Sequence, residues 1–230
     1  MKLKKILGIT GVAIASVALL AACSSKSPKE ASKSSGAKET INFATVGITA
    51  PFSYEENGEL TGYDVEVAKA VFKNSDKYEV KFQKTEWSSV FTGLDSAKYQ
   101  MAGNNISYSE ERAQKYLFSY PIGTTPAVLT VPKDSNIKKY DDIAGHSTQV
   151  VQGTTTATQL TEFNDKHSDK PVELNYTNEN IEQMLTNLNE GKYDFKIFEA
   201  QTVNAIIKNN KLSNLKTIEL KSNLSTFVQY

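Results

Sequence analysis

The run Asn104-Asn105-Ile106-Ser107-Tyr108-Ser109-Glu110-Glu111-Arg112 sets small polar side chains beside the only arginine of the chain. Every other basic residue among the 26 is lysine. Where lysine is the default cation, a lone guanidinium points to a planar, two-pronged contact such as a carboxylate. Ser109 reads as the N-cap of a helix with Arg112 in its first turn, where the helix dipole disfavours a cation. An ordinary surface arginine is the alternative. A second candidate is Gln152-Gly153-Thr154-Thr155, between a strand and a helix. Free N–H groups at a helix start favour an anion, and the glycine lets backbone approach it closely; simple capping by threonine is the competing explanation. Glu199 ends an apolar strand and could receive an ammonium, or could merely complement the next helix dipole. Trp87, the only tryptophan, is either a stacking wall or a core residue.

Other chemistries find little support. Gln152–Thr155 lacks the Gly and Lys pattern of a phosphate-binding P-loop. His146, His167 and Cys23 make no metal-ligand cluster, so neither metal nor cofactor is expected. No Ser/His/Asp or Cys/His arrangement is evident, and Asp194 reads as structural. Removing residues 1–22 takes Lys2, Lys4 and Lys5 and no acid from a formal net charge of zero. The mildly acidic remainder argues against nucleic acid.

The elements that position these residues begin after a leader. Met1–Lys5 is basic and Ile6–Ala22 is uncharged, apolar and small, the pattern of a secretory signal (1–22). Leu20-Ala21-Ala22-Cys23 resembles a bacterial lipobox, which implies lipid on Cys23 and anchorage to a membrane without spanning it. Residues 23–40, rich in Ser and Lys, read as a flexible tether.

The body then alternates. Strands are expected at Ile41–Gly47, Tyr78–Phe82 and Tyr99–Gly103, with a hairpin turning on Asn57-Gly58. Helical spacing marks Tyr63–Lys73 and Trp87–Ala97, and Ser109 opens a helix to Lys115. Ala127–Val131 is an extended connector. The pattern restarts with strands at Thr148–Val151, Val172–Asn175, Asp194–Phe198 and Leu215–Leu220. Helices fill Thr156–Lys166, Asn178–Asn189 with Asn178 as cap, and Gln201–Asn209. This order predicts two α/β units with mainly parallel sheets. Ligands of open α/β sheets sit beyond the carboxyl ends of the strands, and two such lobes would close around one by a hinge.

The body resembles the family-3 extracellular solute-binding proteins of ABC transporters for polar amino acids. The resemblance rests on Ala50-Pro51-Phe52 with Gly58–Val65, Trp87-Ser88-Ser89-Val90, Asn105-Ile106-Ser107 with Glu110-Glu111-Arg112, Gln152–Thr155, and Gly191–Asp194 with Glu199. It implies a two-lobed, periplasmic-binding-protein-like (type II) α/β fold with a central ligand cleft. Lobe 1 would span 41–128 and lobe 2 129–218, with 219–230 an incomplete crossing back toward lobe 1. Members of the family continue past the position of Tyr230, so the resemblance implies a C-terminally truncated chain whose last lobe-1 elements are missing.

The resemblance also implies roles. Arg112 would hold the ligand α-carboxylate, and Thr154 and Thr155 would add hydroxyl and N–H donors. Asn105 and Ser107 would offer oxygens to the α-ammonium, and Glu199 would pair with it across the cleft. Trp87 would cover the side chain, and Phe52, Gln152 and Gly153 are expected among the ligand contacts. The acid is usually aspartate rather than Glu199, and Thr49 and Val46 depart from the family's usual aromatic and aspartate. The implied function is a monomeric, lipid-anchored, non-enzymatic receptor on the extracytoplasmic face. It would capture a polar amino acid, with cystine the first choice, and deliver it to an ABC permease. A dehydratase on the same fold and a truncated, non-functional remnant are the alternatives.

Overall fold

The computed structural model describes residues 36–220 and 226–228. The predicted leader, Cys23 and most of the tether lie outside the described residues, as do 221–225, 229 and 230. The body starts earlier than the sequence suggests. Glu39 and Thr40 are already in strand β1 (Glu39–Thr45), facing Tyr78 and Glu79 in register.

A meander follows: β2 (Ile48–Thr49), β3 (Ser53–Glu56) and β4 (Glu59–Thr61). Its turn is the expected Asn57-Gly58, with φ of 53° and 83°, the paired left-handed residues that a two-residue hairpin loop demands. Helix α1 (Tyr63–Phe72) packs Val65 and Ala68 inward. Strand β5 (Tyr78–Lys84), helix α2 (Trp87–Asp95) and the short β6 (Met101–Ala102) complete a parallel sheet ordered β5-β1-β6. Its floor is a cluster of Ala44, Val46, Val90, Tyr99, Ala102 and Ile106. Helix α3 (Glu110–Ala113) is a single turn, capped as expected by Ser109 Oγ, which accepts the Arg112 N–H at 3.2 Å.

The second layer is built on β8 (Ala127–Pro132), reached through β7 (Gly123–Thr125). After it come β9 (Ser147–Val150), α4 (Thr155–Lys166), β10 (Glu173–Tyr176), α5 (Ile181–Asn189), β11 (Lys196–Glu199), α6 (Ala200–Asn209) and β12 (Leu215–Glu219). Last, β13 (Thr226–Val228) pairs antiparallel with β7.

The expectation of mainly parallel sheets holds for the first layer and for β9 with β10, but not for β8. Strand β8 runs antiparallel to both β11 and β12. Its apolar run is buried on both faces. Leu129 and Val131 join one cluster with Ile137, Val150, Leu160 and Phe195, while Val128 joins another with Leu185, Leu188 and Val203. Each such side chain contributes roughly 1.5–3 kcal/mol by leaving water. The cap of α5 is Asn180, not Asn178. Asn180 Oδ1 accepts the Gln183 N–H at 2.9 Å, and the first apolar residue, Ile181, follows directly.

Candidate functional site

A cavity of about 680 Å³ opens between the carboxyl ends of the strands of both layers. Its wall includes nine of the ten residues expected to touch a ligand: Trp87, Asn105, Ser107, Arg112, Gln152, Gly153, Thr154, Thr155 and Glu199. Phe52 is the correction. It is buried at 6% exposure and lies off the cavity wall. Its carbonyl accepts the Asp64 N–H at 2.9 Å, which joins it to the start of α1.

Arg112 reaches across the cavity. Nη1 donates to the Ser107 carbonyl at 2.8 Å, within its own layer. Nη2 donates to the Gly153 carbonyl at 2.9 Å, in the other layer. The guanidinium carbon lies 4.9 Å from the Phe91 ring centre and 5.7 Å from that of Trp87. Burial lowers its pKa, yet a guanidinium stays charged in any protein. Aromatic faces and two carbonyls therefore fix the plane of the fork, which retains further N–H donors for an anion. Arg112 is half-buried and lies on the cavity wall.

The opposite wall is the start of α4. Thr154 is its N-cap, accepting the Ala157 N–H at 3.2 Å and donating to the Val151 carbonyl at 2.8 Å. The capping explanation therefore holds, and the hydroxyl is engaged within the chain. The first-turn N–H groups of Thr155 and Thr156 have no carbonyl within the helix to bind, and both residues line the cavity. Gly153, at φ 76°, adopts the left-handed backbone that lets this turn face Trp87.

Glu199 ends β11 and occupies the N-cap position of α6 without a capping bond. Its Oε2 is buried with no hydrogen-bond partner. Burial pushes its pKa up to about 7, against the lowering effects of its own backbone N–H, Lys196 and Asn105. An acid in that condition is poised for an incoming cation.

Asn105 sits at φ 52°, and its N–H donates to Asp64 Oδ2 at 2.6 Å. Its neighbour Asn104, given no separate role in the sequence reading, ties the run to the segment that follows β1. Asn104 Oδ1 accepts from the Val46 N–H at 3.1 Å, and Nδ2 donates to Thr49 Oγ1 at 3.3 Å. Trp87 packs against the first-layer core and also lines the cavity. Also unforeseen are Phe91, Glu179 and Lys196 on the wall. Lys196 could have been noticed as a lone charge inside the apolar run Phe195-Lys196-Ile197-Phe198. Among the described residues, no group of acids, histidines and cysteines could hold a metal ion.

With this geometry in place, comparison with known proteins decides the family. Residues 41–170 match the model of the bacterial extracellular solute-binding proteins, family 3. The chain belongs to that family. Among relatives, the probable amino-acid-binding protein YxeM of Bacillus subtilis (strain 168) is 32% identical over 216 residues, covering 92% of this chain and 76% of YxeM. The L-cystine-binding protein TcyJ of the same organism is 29% identical over 144 residues, covering 62% of this chain and 53% of TcyJ. A solved structure from work on glutathione import in Gram-positive bacteria, via GshT and the cystine ABC importer TcyBC of Streptococcus mutans, is 58% identical. It aligns with a TM-score of 0.81 over 84% of this chain and 81% of that one. This two-lobed solute-binding fold is the α/β architecture described above.

Proposed function

We propose that the chain is a lipid-anchored, extracytoplasmic receptor that closes around a polar amino acid or amino-acid derivative and presents it to an ABC permease. The observation that carries the ligand class is one pair of groups on the cavity wall. Arg112 offers a fixed guanidinium, and Glu199 offers a buried carboxyl oxygen without a partner. A zwitterionic α-amino-acid head answers both, its carboxylate on Arg112 and the N–H groups of Thr155 and Thr156, its ammonium on Glu199. Asn105 and Ser107 complete the ammonium side, and Trp87 and Phe91 shelter the apolar part.

Differential binding to the closed arrangement would make closure depend on ligand. Lobe 1 would span 41–128 and lobe 2 129–218, with 219–230 crossing back. Lipid on Cys23 would hold a monomeric body outside the membrane. The names of the relatives favour cystine, and the 58% identical structure adds glutathione as a candidate. No relative named above is a dehydratase, and no catalytic step is invoked for Glu199.

Calorimetric titration of the purified protein with L-cystine, glutathione and the single amino acids tests this reading. Saturable one-to-one binding of at least one of them, lost on N-acetylation of its α-amino group, is the expected result. Failure of all of them to bind would refute it.

A further inference from the structure

We propose that Lys196 is a specificity-determining residue that holds a second carboxylate of the solute, so that the cleft selects dicarboxylic amino-acid derivatives over single amino acids. This rests on the amino-acid reading of the cleft given above.

Lysine is almost never fully buried without a charged or well-bonded partner. Lys196 is only 6% exposed, at the start of β11, flanked in sequence by Phe195 and Ile197. Its Nζ donates to one acceptor, the Gln149 carbonyl at 2.8 Å. No carboxylate of the described residues lies within 4.0 Å of it, although Glu199 is near enough to favour its charge. An ammonium has three donors, so two remain unspent. Burial pulls its pKa down to about 8, which leaves it mostly protonated at neutral pH while poorly solvated. Lys196 is one of the residues that line the cavity.

Hydrogen bonds hold the frame around this charge in place. Glu179, a second acid on the same wall beside Glu199, accepts from Gln149 Nε2 at 2.7 Å and from Asn187 Nδ2 at 3.0 Å. Asn187 Nδ2 also reaches Gln149 Oε1 at 3.1 Å. Gln149 therefore holds Glu179 with its side chain and Lys196 with its carbonyl. An arriving carboxylate would fill the two spare donors and offset the desolvation of the ammonium. Arg112 in the first layer and Lys196 in the second then supply one cation for each of two ligand carboxylates. Cystine and glutathione both have that chemistry.

The test titrates wild type and Lys196→Met with two pairs of probes: L-cystine against its monoamide, and glutathione against its glycinamide analogue. Wild type should prefer the free acid of at least one pair by roughly tenfold to a hundredfold, the range for a hydrogen bond to a charged group. Lys196→Met should abolish that preference by weakening the free acid more than the amide. A preference that persists in Lys196→Met overturns the assignment. So does a wild type that binds acid and amide alike, a comparison that stands even if the variant does not fold. If wild type binds none of the four probes, the amino-acid reading and this inference fall together; loss confined to Lys196 leaves the former standing.

Discussion

Arg112 Nη2 donates to the Gly153 carbonyl across 41 residues of sequence and across the cavity that separates the two layers. The bond joins the two motifs that the ligand carboxylate is proposed to bridge, so the same guanidinium would serve both the contact between layers and the anion. Replacing Arg112 with Lys keeps the charge and removes the fork. We expect the affinity for an amino-acid ligand to fall by roughly tenfold to a hundredfold, as for a lost charge-assisted hydrogen bond. Calorimetry on Arg112→Lys giving near-wild-type affinity would remove the guanidinium from the site.

Glu199 gives the cleft a pH dependence with two opposite signs. Its folded pKa of about 7 lies above the ordinary 4.5, so the fold favours the protonated acid. That contribution is complete below about 4.5 and is lost as pH rises through about 7. Asp64, raised by burial from 3.8 to about 6 against the Asn105 N–H, has the same sign. Lys196, lowered by burial from 10.5 to about 8, contributes above 10.5 and loses that contribution as pH falls through about 8. The ligand-free protein should therefore melt at a higher temperature near pH 5 than near pH 7.5. Ligand binding runs the other way, because a proton on Glu199 competes with the ligand ammonium. Affinity for a zwitterionic ligand should drop as pH falls below about 7. Thermal melts with and without ligand between pH 5 and 8 check both trends. In Glu199→Gln the slope near pH 7 should shrink, and an unchanged slope would assign the titration to another group.

What could be read from the sequence depended on whether the signal was local. The Asn57-Gly58 turn, the Ser109 cap and the helices from Tyr63 and Trp87 follow from neighbouring residues, and the structure has them. The direction of β8 was not legible. Ala127–Pro132 is apolar on both faces whichever way its partners run, and its antiparallel pairing with β12 is set by a crossing of the chain far downstream. Asn178 and Asn180 are equally good caps by type, and only the position of Ile181 separates them. Within the site, Arg112 stood out by scarcity. Lys196, one of 25 lysines, was marked only by the apolar run around it, and its proposed role depends on burial that composition does not report.

The proposed anchor makes a separate prediction about where the protein is found. If Cys23 carries the lipid, Cys23→Ser in the producing bacterium should take up no labelled palmitate and should appear in the culture fluid rather than the membrane pellet. The leader would still export it. Palmitate labelling of Cys23→Ser at the wild-type level would rule the thiol out as the attachment point.

The last prediction concerns how the first layer holds the site in place. Gly93 lies on the inner face of α2, where a Cβ would fall 2.2 Å from Cε2 and 2.3 Å from Cδ2 of Tyr99. Tyr99 is buried at 4% exposure beside Val90, Ala102 and Ile106. Its ring cannot swing into solvent without opening that cluster. Gly93→Ala forces either the ring or the helix to move, and overpacking of this kind costs about 1–3 kcal/mol. Alanine would otherwise favour the helix by up to about 1 kcal/mol, so the net loss should be smaller than the steric term alone. Because Trp87 and Phe91 sit on the same helix and face the Arg112 guanidinium, the displacement should also reach the cleft. Gly93→Ala should lower both the melting temperature and the ligand affinity, whereas Gly93→Ala with Tyr99→Leu should recover the melting temperature. A single variant as stable as wild type would mean that α2 slides freely over Tyr99, and that the position of Trp87 is set elsewhere.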